Sequence, residues 1–369
     1  MLLNGFGVLQ IEPTDVCNLQ CKMCAPHFEN WDSVHGIPKG YLSVNLWREI
    51  VNQFVLNHTQ FDHIIFQWLG DPMLHPDIVE LIAVAQQRLI GQVSYLRVDT
   101  NAILLTPERS EKLAQAAFDG SIPLLIVCSI DAHSASAYSE VKGRDRLSIV
   151  RRNVRALLRA RHRLGERCRI NIQVQFVVQS GNHHEAEAFL SYWKDAFQCH
   201  GASWHDEIMF KRLSVGGGTT GQAAADAMYS EAITNKGIVP DSNGHPKILT
   251  WSQRPWQRDD EHQPQRTACP GLWLTPVIRH DGTLQMCCSD MNGGLQLGSL
   301  AEHSFEQLWL GEQADAYRAD HLSGRFDGPC KDCGGINWYT TPSRAVAATR
   351  QRISQRSLAP KETAATSVE

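Results

Sequence analysis

No stretch of the 369-residue sequence approaches the ~18 uncharged apolar residues needed to cross a bilayer, so a membrane-embedded protein is not expected. Neither sign of charge dominates: 35 Lys and Arg stand against 39 Asp and Glu, which gives no reason to expect nucleic acid or an anionic membrane as partner. Met1–Val8 is apolar but lacks the basic n-region and long apolar core of a secretory signal, so the chain is read as cytoplasmic. What is present is a composition of 43% apolar and 20% charged residues, ordinary for a globular protein and unlike a disordered or fibrous chain. This length allows one large core and a smaller module, because single cores stop growing near ~250–300 residues. Eleven cysteines stand out. Cytosolic thiols stay reduced, so metal ligation or redox chemistry explains them better than disulfides, and their spacing must decide.

Apolar, β-rich runs at Gly7–Ile11, His63–Gln67, Ser94–Val98, Leu124–Ser129, Ile170–Val178 and Glu207–Lys211 read as strands. Helical patterns fall between them at Val44–Asn57, Pro76–Gln87, Pro107–Ala117, Leu147–Arg163 and His184–Phe197. This alternation predicts a parallel α/β sheet over residues 1–213. The Arg-rich side of Leu147–Arg163 is read as a solvated face. Residues 214–268, with Gly216-Gly217-Gly218 and Trp251-Ser252-Gln253-Arg254-Pro255, read as a surface connection. A second pattern occupies 269–342: a Trp-containing strand, a turn at His280-Asp281-Gly282, a strand ending in Cys287 and a helix around Ser304–Ala316. Residues 343–369 read as a partly disordered tail, most clearly Ser357–Glu369.

Cys17, Cys21 and Cys24 occupy one eight-residue loop after the first strand. Three thiolates can hold three corners of an iron–sulfur cubane and leave one iron open, whereas a closed structural zinc site takes four ligands, for which His27 is a candidate. The Cys-X3-Cys-X2-Cys spacing resembles that of the radical S-adenosylmethionine (SAM) superfamily, with Met23 where many members carry an aromatic residue. The resemblance implies a partial (β/α)6 TIM-like barrel. It also implies that SAM binds the open iron and is reductively cleaved to a 5′-deoxyadenosyl radical that takes hydrogen from substrate. An electron donor such as flavodoxin or ferredoxin is implied as partner.

Further segments follow in the order of that family. Gln67-Trp68-Leu69-Gly70-Asp71-Pro72 resembles the Gly-Gly-Glu segment that receives the SAM ammonium, which makes Gly70 and Asp71 candidate contacts. Thr100-Asn101 resembles the start of a Thr-Asn-Gly segment, with Ala102 in place of glycine. Ser129 and Asp131 are the candidates for ribose and carboxylate, and Met23 for an apolar shelf beside adenine. Turn-forming or capping roles remain open for each of these polar residues. Strand ends of a parallel barrel converge on one mouth, which binds these signals together.

Cys269-X12-Gly282-X4-Cys287 and Cys330-X2-Cys333 resemble a C-terminal SPASM or twitch module, a small α+β iron–sulfur unit. Four thiolates would close an auxiliary 4Fe–4S cluster, giving two clusters in total, since no cysteine follows Cys333. A zinc ribbon is the plain alternative. Cys128, Cys168 and Cys199 read as buried spectators, and most of the ten tryptophans as core. Asp290 is a candidate proton acceptor that could equally cap a turn. The favoured function is radical SAM oxidation of a polar small molecule of the sugar or aminocyclitol class, helped by the auxiliary cluster, because no segment ahead of the first strand offers a leader-peptide-binding domain. Two alternatives stand: a maturase acting on a precursor peptide, and a non-catalytic zinc-binding interaction protein.

Overall fold

The computed structural model describes residues 4–24, 39–203, 205–213, 219–251, 268–331, 333, 335–336 and 339–358. Every strand read from the alternation of the first 213 residues forms: β1 Asn4–Ile11, β2 Gln60–Phe66, β3 Val93–Thr100, β4 Leu124–Ser129, β5 Ile170–Val178 and β6 Glu207–Arg212. All pair in parallel, in chain order. The helices that cover them are α1 Val44–Leu56, α2 Ile78–Arg88, α3 Pro107–Asp119, α4 Ala135–Lys142, α5 Leu147–Leu164 and α6 Ala186–Cys199. Ser43, Thr106 and Ser134 start α1, α3 and α4 by accepting a backbone N–H of the first turn, and Pro107 suits the first position of α3 because it has no N–H to leave unpaired. Ile64, Phe66, Leu96, Val98, Ile172 and Phe176 alternate along their strands and are fully buried under this helical layer. The arrangement is the parallel α/β sheet that the order of elements predicts and the partial TIM-like barrel that the resemblance implies.

Five expectations need correction. Residues 219–250 are more than a surface connection: they carry α7 Thr219–Tyr229, a π-helical turn at Ser230–Thr234 and β7 Lys247–Thr250, which pairs in parallel with β6. Four residues are too few for an alternation signal, so only the neighbouring strand reveals β7. The expected Trp-containing strand is a helical turn, α8 Gly271–Leu274, because Pro270 takes a helical φ at its start and a strand interior has no use for proline. The strands there are β8 Val277–Ile278, β9 Thr283–Gln285 and β10 Gln296–Ser299. The single helix expected over Ser304–Ala316 breaks at Leu310-Gly311 into α9 Phe305–Trp309 and α10 Glu312–Leu322, and the expected tail contains α11 Ser343–Leu358. Arg352 and Arg356 of α11 both bind the buried carboxylate of Asp315 on α10, an ordering force that no local pattern announces. The Arg-rich side of α5 is likewise solvated only in part: Arg161 is buried and bonds Asp206 at 2.5 Å and the Gly201 carbonyl at 2.7 Å.

The C-terminal module extends the barrel sheet rather than standing apart from it. β8 pairs in parallel with β1, and β9 and β10 follow antiparallel, so the described strands form one ten-stranded sheet. An aromatic cluster cements the junction: Phe305 meets Phe54 at 5.2 Å and Phe6 at 5.8 Å, and Trp309 meets Phe6 at 5.6 Å. No helix among the described residues is long and apolar enough to cross a membrane.

Candidate active site and cluster sites

Cys17, Cys21 and Cys24 lie in the loop that leaves the C-terminal end of β1, and two neighbours fix that loop in place. The N–H of Asp71 donates to the Val16 carbonyl at 2.9 Å, and a Cβ on Gly70 would lie within 2.7 Å of the same oxygen. Only glycine allows this approach. On the other side, Lys22 N–H donates to Val141 at the end of α4 at 3.1 Å, and a Cβ on Gly143 would lie 2.8 Å from the Gln20 carbonyl. The loop is thus pinched between the end of β2 and the end of α4.

The three thiols are half-buried and electrically in touch. Burial pushes Cys17 up to about 11, with Asp71 and Cys21 adding to the rise, and pushes Cys24 up to about 12, with Cys21 and Cys17 adding to it. Among the described residues, however, no three His, Cys, Asp or Glu side chains could share a single ion. Thiols near enough to repel as thiolates suit neighbouring corners of a cluster, whose irons would supply the missing positive charge. His27 lies outside the described residues.

The polar candidates at the neighbouring strand ends are brought together, but they mostly hold one another. Asp71 accepts from Met73 N–H at 2.9 Å, Thr100 Oγ1 at 3.0 Å and Asn101 N–H at 2.7 Å, which ties the end of β2 to the end of β3. Burial raises its pKa against these bonds. Asn101 reaches on to Asn18 of the cysteine loop at 2.7 Å. Ala102, where the family pattern has glycine, sits at φ 62° and is fully buried. Asp131, at the same φ of 62°, accepts from Val177 N–H at 2.6 Å and Ser129 Oγ at 2.9 Å. Met23 meets Gln179 Nε2 at 3.7 Å.

Sequence reading missed Lys142. Its ammonium pairs with Asp131 and reaches Ser129 Oγ at 3.1 Å, with both Lys142 and Asp131 almost fully buried. Burial works to discharge it, but Asp131 and Cys21 outweigh this and raise its pKa, so a fixed cation stands beside the cysteine loop. Its position on the last turn of α4, eleven residues beyond its partner, left no motif to find it by.

Three of the second cysteine set, Cys269, Cys287 and Cys333, come together in the C-terminal module. Cys269 is pushed up by burial, with Cys287 and Cys333 contributing, and a Cβ on Gly271 would meet the Cys287 and Cys269 sulfurs at 3.2 and 3.5 Å. Backbone amides point at these sulfurs: Ile336 N–H at Cys269 and Gly335 N–H at Cys333, both 3.3 Å, and Ser289 N–H at Cys287, 3.5 Å. N–H groups aimed at sulfur are what a thiolate-held cluster requires. Cys330 ends the helical turn Gly328–Cys330. Asp290 does not enter the mouth as a free base: its two oxygens hold Gly294 N–H at 3.1 Å and Leu295 N–H at 2.7 Å, closing the turn after Cys287. Cys128 and Cys168 are buried as expected, whereas Cys199 is exposed at the end of α6.

Among the side chains that join the two regions, one reaches the second cysteine set directly. Trp68, two residues before Gly70, donates its indole N–H to the Cys288 carbonyl at 3.0 Å.

The radical SAM superfamily model matches residues 11–172, and the SPASM model, an iron–sulfur cluster-binding domain, matches 269–334. The chain belongs to the radical SAM superfamily. Its enzymes use SAM and 4Fe–4S clusters, the cofactors that the two cysteine sets fit. This radical SAM chain is 23% identical over 184 residues to the tungsten-containing aldehyde ferredoxin oxidoreductase cofactor-modifying protein of Pyrococcus furiosus, covering 50% of this chain and 47% of that one. The chain thus spans about half the length of the curated relative it matches. Among solved structures it resembles anSMEcpe with bound AdoMet, with a TM-score of 0.54 and 13% identity over 95% of this chain and 97% of that one. BtrN in complex with AdoMet and 2-DOIA superposes with a TM-score of 0.49 and 13% identity over 92% and 98%. At 13% identity the likeness to anSMEcpe is one of fold.

Proposed function

We propose that this radical SAM enzyme oxidises a polar small molecule of the sugar or aminocyclitol class by two electrons, using one auxiliary 4Fe–4S cluster. The observation that carries this reading is the link between the two cysteine sets: the first leaves the C-terminal end of β1, and Trp68, just beyond the neighbouring end of β2, donates to the Cys288 carbonyl beside the second. When bound, a cluster on Cys17, Cys21 and Cys24 supplies the electron that cleaves SAM into methionine and a 5′-deoxyadenosyl radical. A substrate that gives that radical a hydrogen atom must still lose one proton and one electron, and a cluster on Cys269, Cys287, Cys330 and Cys333 would accept the electron.

The chain's own residues set the stage for this. Gly70 lets the cysteine loop close onto the strand ends, and Asp71 locks the ends of β2 and β3 beneath it. Lys142, held by Asp131 and Ser129, provides a buried positive charge suited to an amino-acid carboxylate. The concave face of the sheet offers Gln10, Arg97, Asp99, Gln173 and Gln175, a lining that suits a hydrophilic substrate far better than an apolar one. Flavodoxin or ferredoxin is the proposed electron donor.

Anaerobic reconstitution tests this reading. About eight irons per chain, as two cubanes hold, together with 5′-deoxyadenosine release on reduction, are expected. Stoichiometric zinc without iron would falsify it. Metabolite and peptide profiles of cells with and without the gene then identify the substrate: an accumulating sugar or cyclitol supports the proposal, and an unmodified precursor peptide replaces it with peptide maturation.

A further inference from the structure

Charge is unevenly spread over the molecule. From Arg144 to Arg163 eight arginines stand against one acid, Asp145, in a chain whose net charge is −4. Six of the eight lie on α5, which holds no Asp or Glu. Two of these six are neutralised: Arg161 is buried against Asp206, and Arg163 binds Glu111 at 2.8 Å. Arg151 and Arg155 lie over the Tyr192 ring at 3.9 and 5.1 Å, contacts that leave their charge in place. Arg144, Arg146, Arg152 and Arg159 are exposed and form no ion pair among the described residues. The surplus is felt nearby: burial lowers the pKa of His200, and Arg159, Arg155 and His162 lower it further. Arg152, Arg155, Arg159 and Arg163 follow one another at three- and four-residue steps along one side of the helix, a row about 16 Å long. Like charges one turn apart destabilise the helix that carries them unless an opposite charge answers from outside.

The row begins at the cysteine loop. α4 ends at Gly143, whose φ of 83° turns the chain into Arg144 and Arg146 and so into α5. Both neighbours of Cys21 touch that corner: Lys22 N–H donates to the Val141 carbonyl at 3.1 Å, and the Gln20 carbonyl would lie 2.8 Å from a Cβ on Gly143. Gln20, Lys22, Gly143, Arg144 and Arg146 are all exposed, so this corner is surface immediately outside the first cysteine set. Glu140 lies 3.6 Å from Lys22, and one oxygen of Asp145 accepts from Leu147 N–H at 3.0 Å. Lys22, Arg144 and Arg146 outnumber these two acids, and the corner stays net positive.

We propose that the Arg144–Arg146 corner and the exposed arginine row of α5 form the docking surface for an acidic electron-carrier protein, which there gives up one electron to the cluster site of Cys17, Cys21 and Cys24. This inference rests on the electron-donor reading above and adds to it the face that is used and the charge that the partner must bear. Opposite charge speeds the encounter and is screened by salt, which suits the small, transient contacts of redox partners better than a permanent subunit interface. The row guides the approach, and the corner brings the carrier against the chain on either side of Cys21.

Release of 5′-deoxyadenosine by the anaerobically reconstituted enzyme tests it, with reduced flavodoxin, reduced ferredoxin or dithionite as the electron source. Arg144→Glu/Arg146→Glu is expected to raise the KM for the protein donor at least about tenfold, and Arg152→Glu/Arg159→Glu about threefold or more. The dithionite-driven rate and the iron content of both variants should match the parent, which shows that they are folded. Raising the salt from about 0.05 to about 0.5 M should weaken the parent's use of the protein donor about tenfold and that of the charge-reversed variants much less. Arg88→Glu, at the end of α2, is the control and should leave the donor KM unchanged. An unchanged donor KM in both reversals, or turnover with dithionite but with neither protein donor, overturns the proposal. It is also overturned if the parent binds a ~20-nucleotide single-stranded DNA or RNA that the reversals release while donor kinetics stay as they were, because the row then serves a nucleic acid. If the parent releases no 5′-deoxyadenosine even with dithionite, the radical reading fails. Calorimetric binding of flavodoxin to the parent and the reversals, which needs no turnover, then decides the docking surface separately.

Discussion

The two cysteine sets solve one problem, holding iron–sulfur clusters, by opposite routes. The first is compact in sequence, three thiols within eight residues, and it gains its shape from outside: β2 presses through Gly70 and α4 through Gly143. The second is spread from Cys269 to Cys333 and gains its shape from within, as α8, the turn after β9 and the Gly328–Cys330 turn each deliver a sulfur. A contiguous loop can leave a cluster corner open because three ligands suffice to anchor it. A dispersed site needs all four thiolates to be rigid. The difference teaches that the reactive loop is shaped by elements far from it in sequence, while the auxiliary site is shaped by segments of a module that is itself joined to β1.

The sharpest way to break that contrast is to remove thiols. Cys17→Ala, Cys21→Ala or Cys24→Ala should leave about four irons, one cubane, and abolish 5′-deoxyadenosine formation. Cys269→Ala or Cys333→Ala should also leave about four irons but keep SAM cleavage measurable in the absence of substrate. Loss of cleavage in both groups would mean that the sets are not independent. Next in size is Lys142→Met, which leaves Asp131 as an uncompensated buried charge. A loss of about 3–5 kcal/mol is expected in urea unfolding, with the N-terminal cluster emptied before the C-terminal one.

Gly70→Ala sharpens the same comparison more gently. Its Cβ would press on the Val16 carbonyl, so a cost of about 1–3 kcal/mol and selective loss of iron from the first site are expected, readable by Mössbauer spectroscopy. The smallest effect is one of pH. His75 accepts from Asp77 N–H at 3.0 Å and meets the Leu42 carbonyl at 2.9 Å, and Leu42 N–H in turn holds the Pro13 carbonyl that leads into the cysteine loop. Burial lowers the His75 pKa from its ordinary 6.5, so the unfolded chain takes up the proton first as the pH falls. Stability present above pH 6.5 is therefore lost on acidification through and below that value. His75→Gln should flatten the slope of unfolding free energy between about pH 5 and 7 without touching the C-terminal cluster.

The barrel strands were legible because alternating buried residues are a local signal, as at Ile170–Val178, and the cysteine loop because its thiols are contiguous. Gly70 was named as a SAM contact, whereas its close approach to the Val16 carbonyl of the cysteine loop was not legible. Other features could not be read along the chain. β7 is only four residues long, α11 is ordered by the distant Asp315, and Lys142 matters through Asp131. The polar strand-end candidates were found by pattern, but their partners belong to neighbouring strands: Asp71 holds the end of β3 and Asp131 holds β5, whereas Asp290 closes its own turn.

Sequence alone determined the parallel sheet, the two cysteine sets and the family, because periodicity and ligand spacing are properties of consecutive residues. Tertiary structure decided which groups stand beside the reactive loop and how the C-terminal module joins β1. Those are matters of register between strands far apart in the chain, and register is set by packing across the sheet rather than by any one segment.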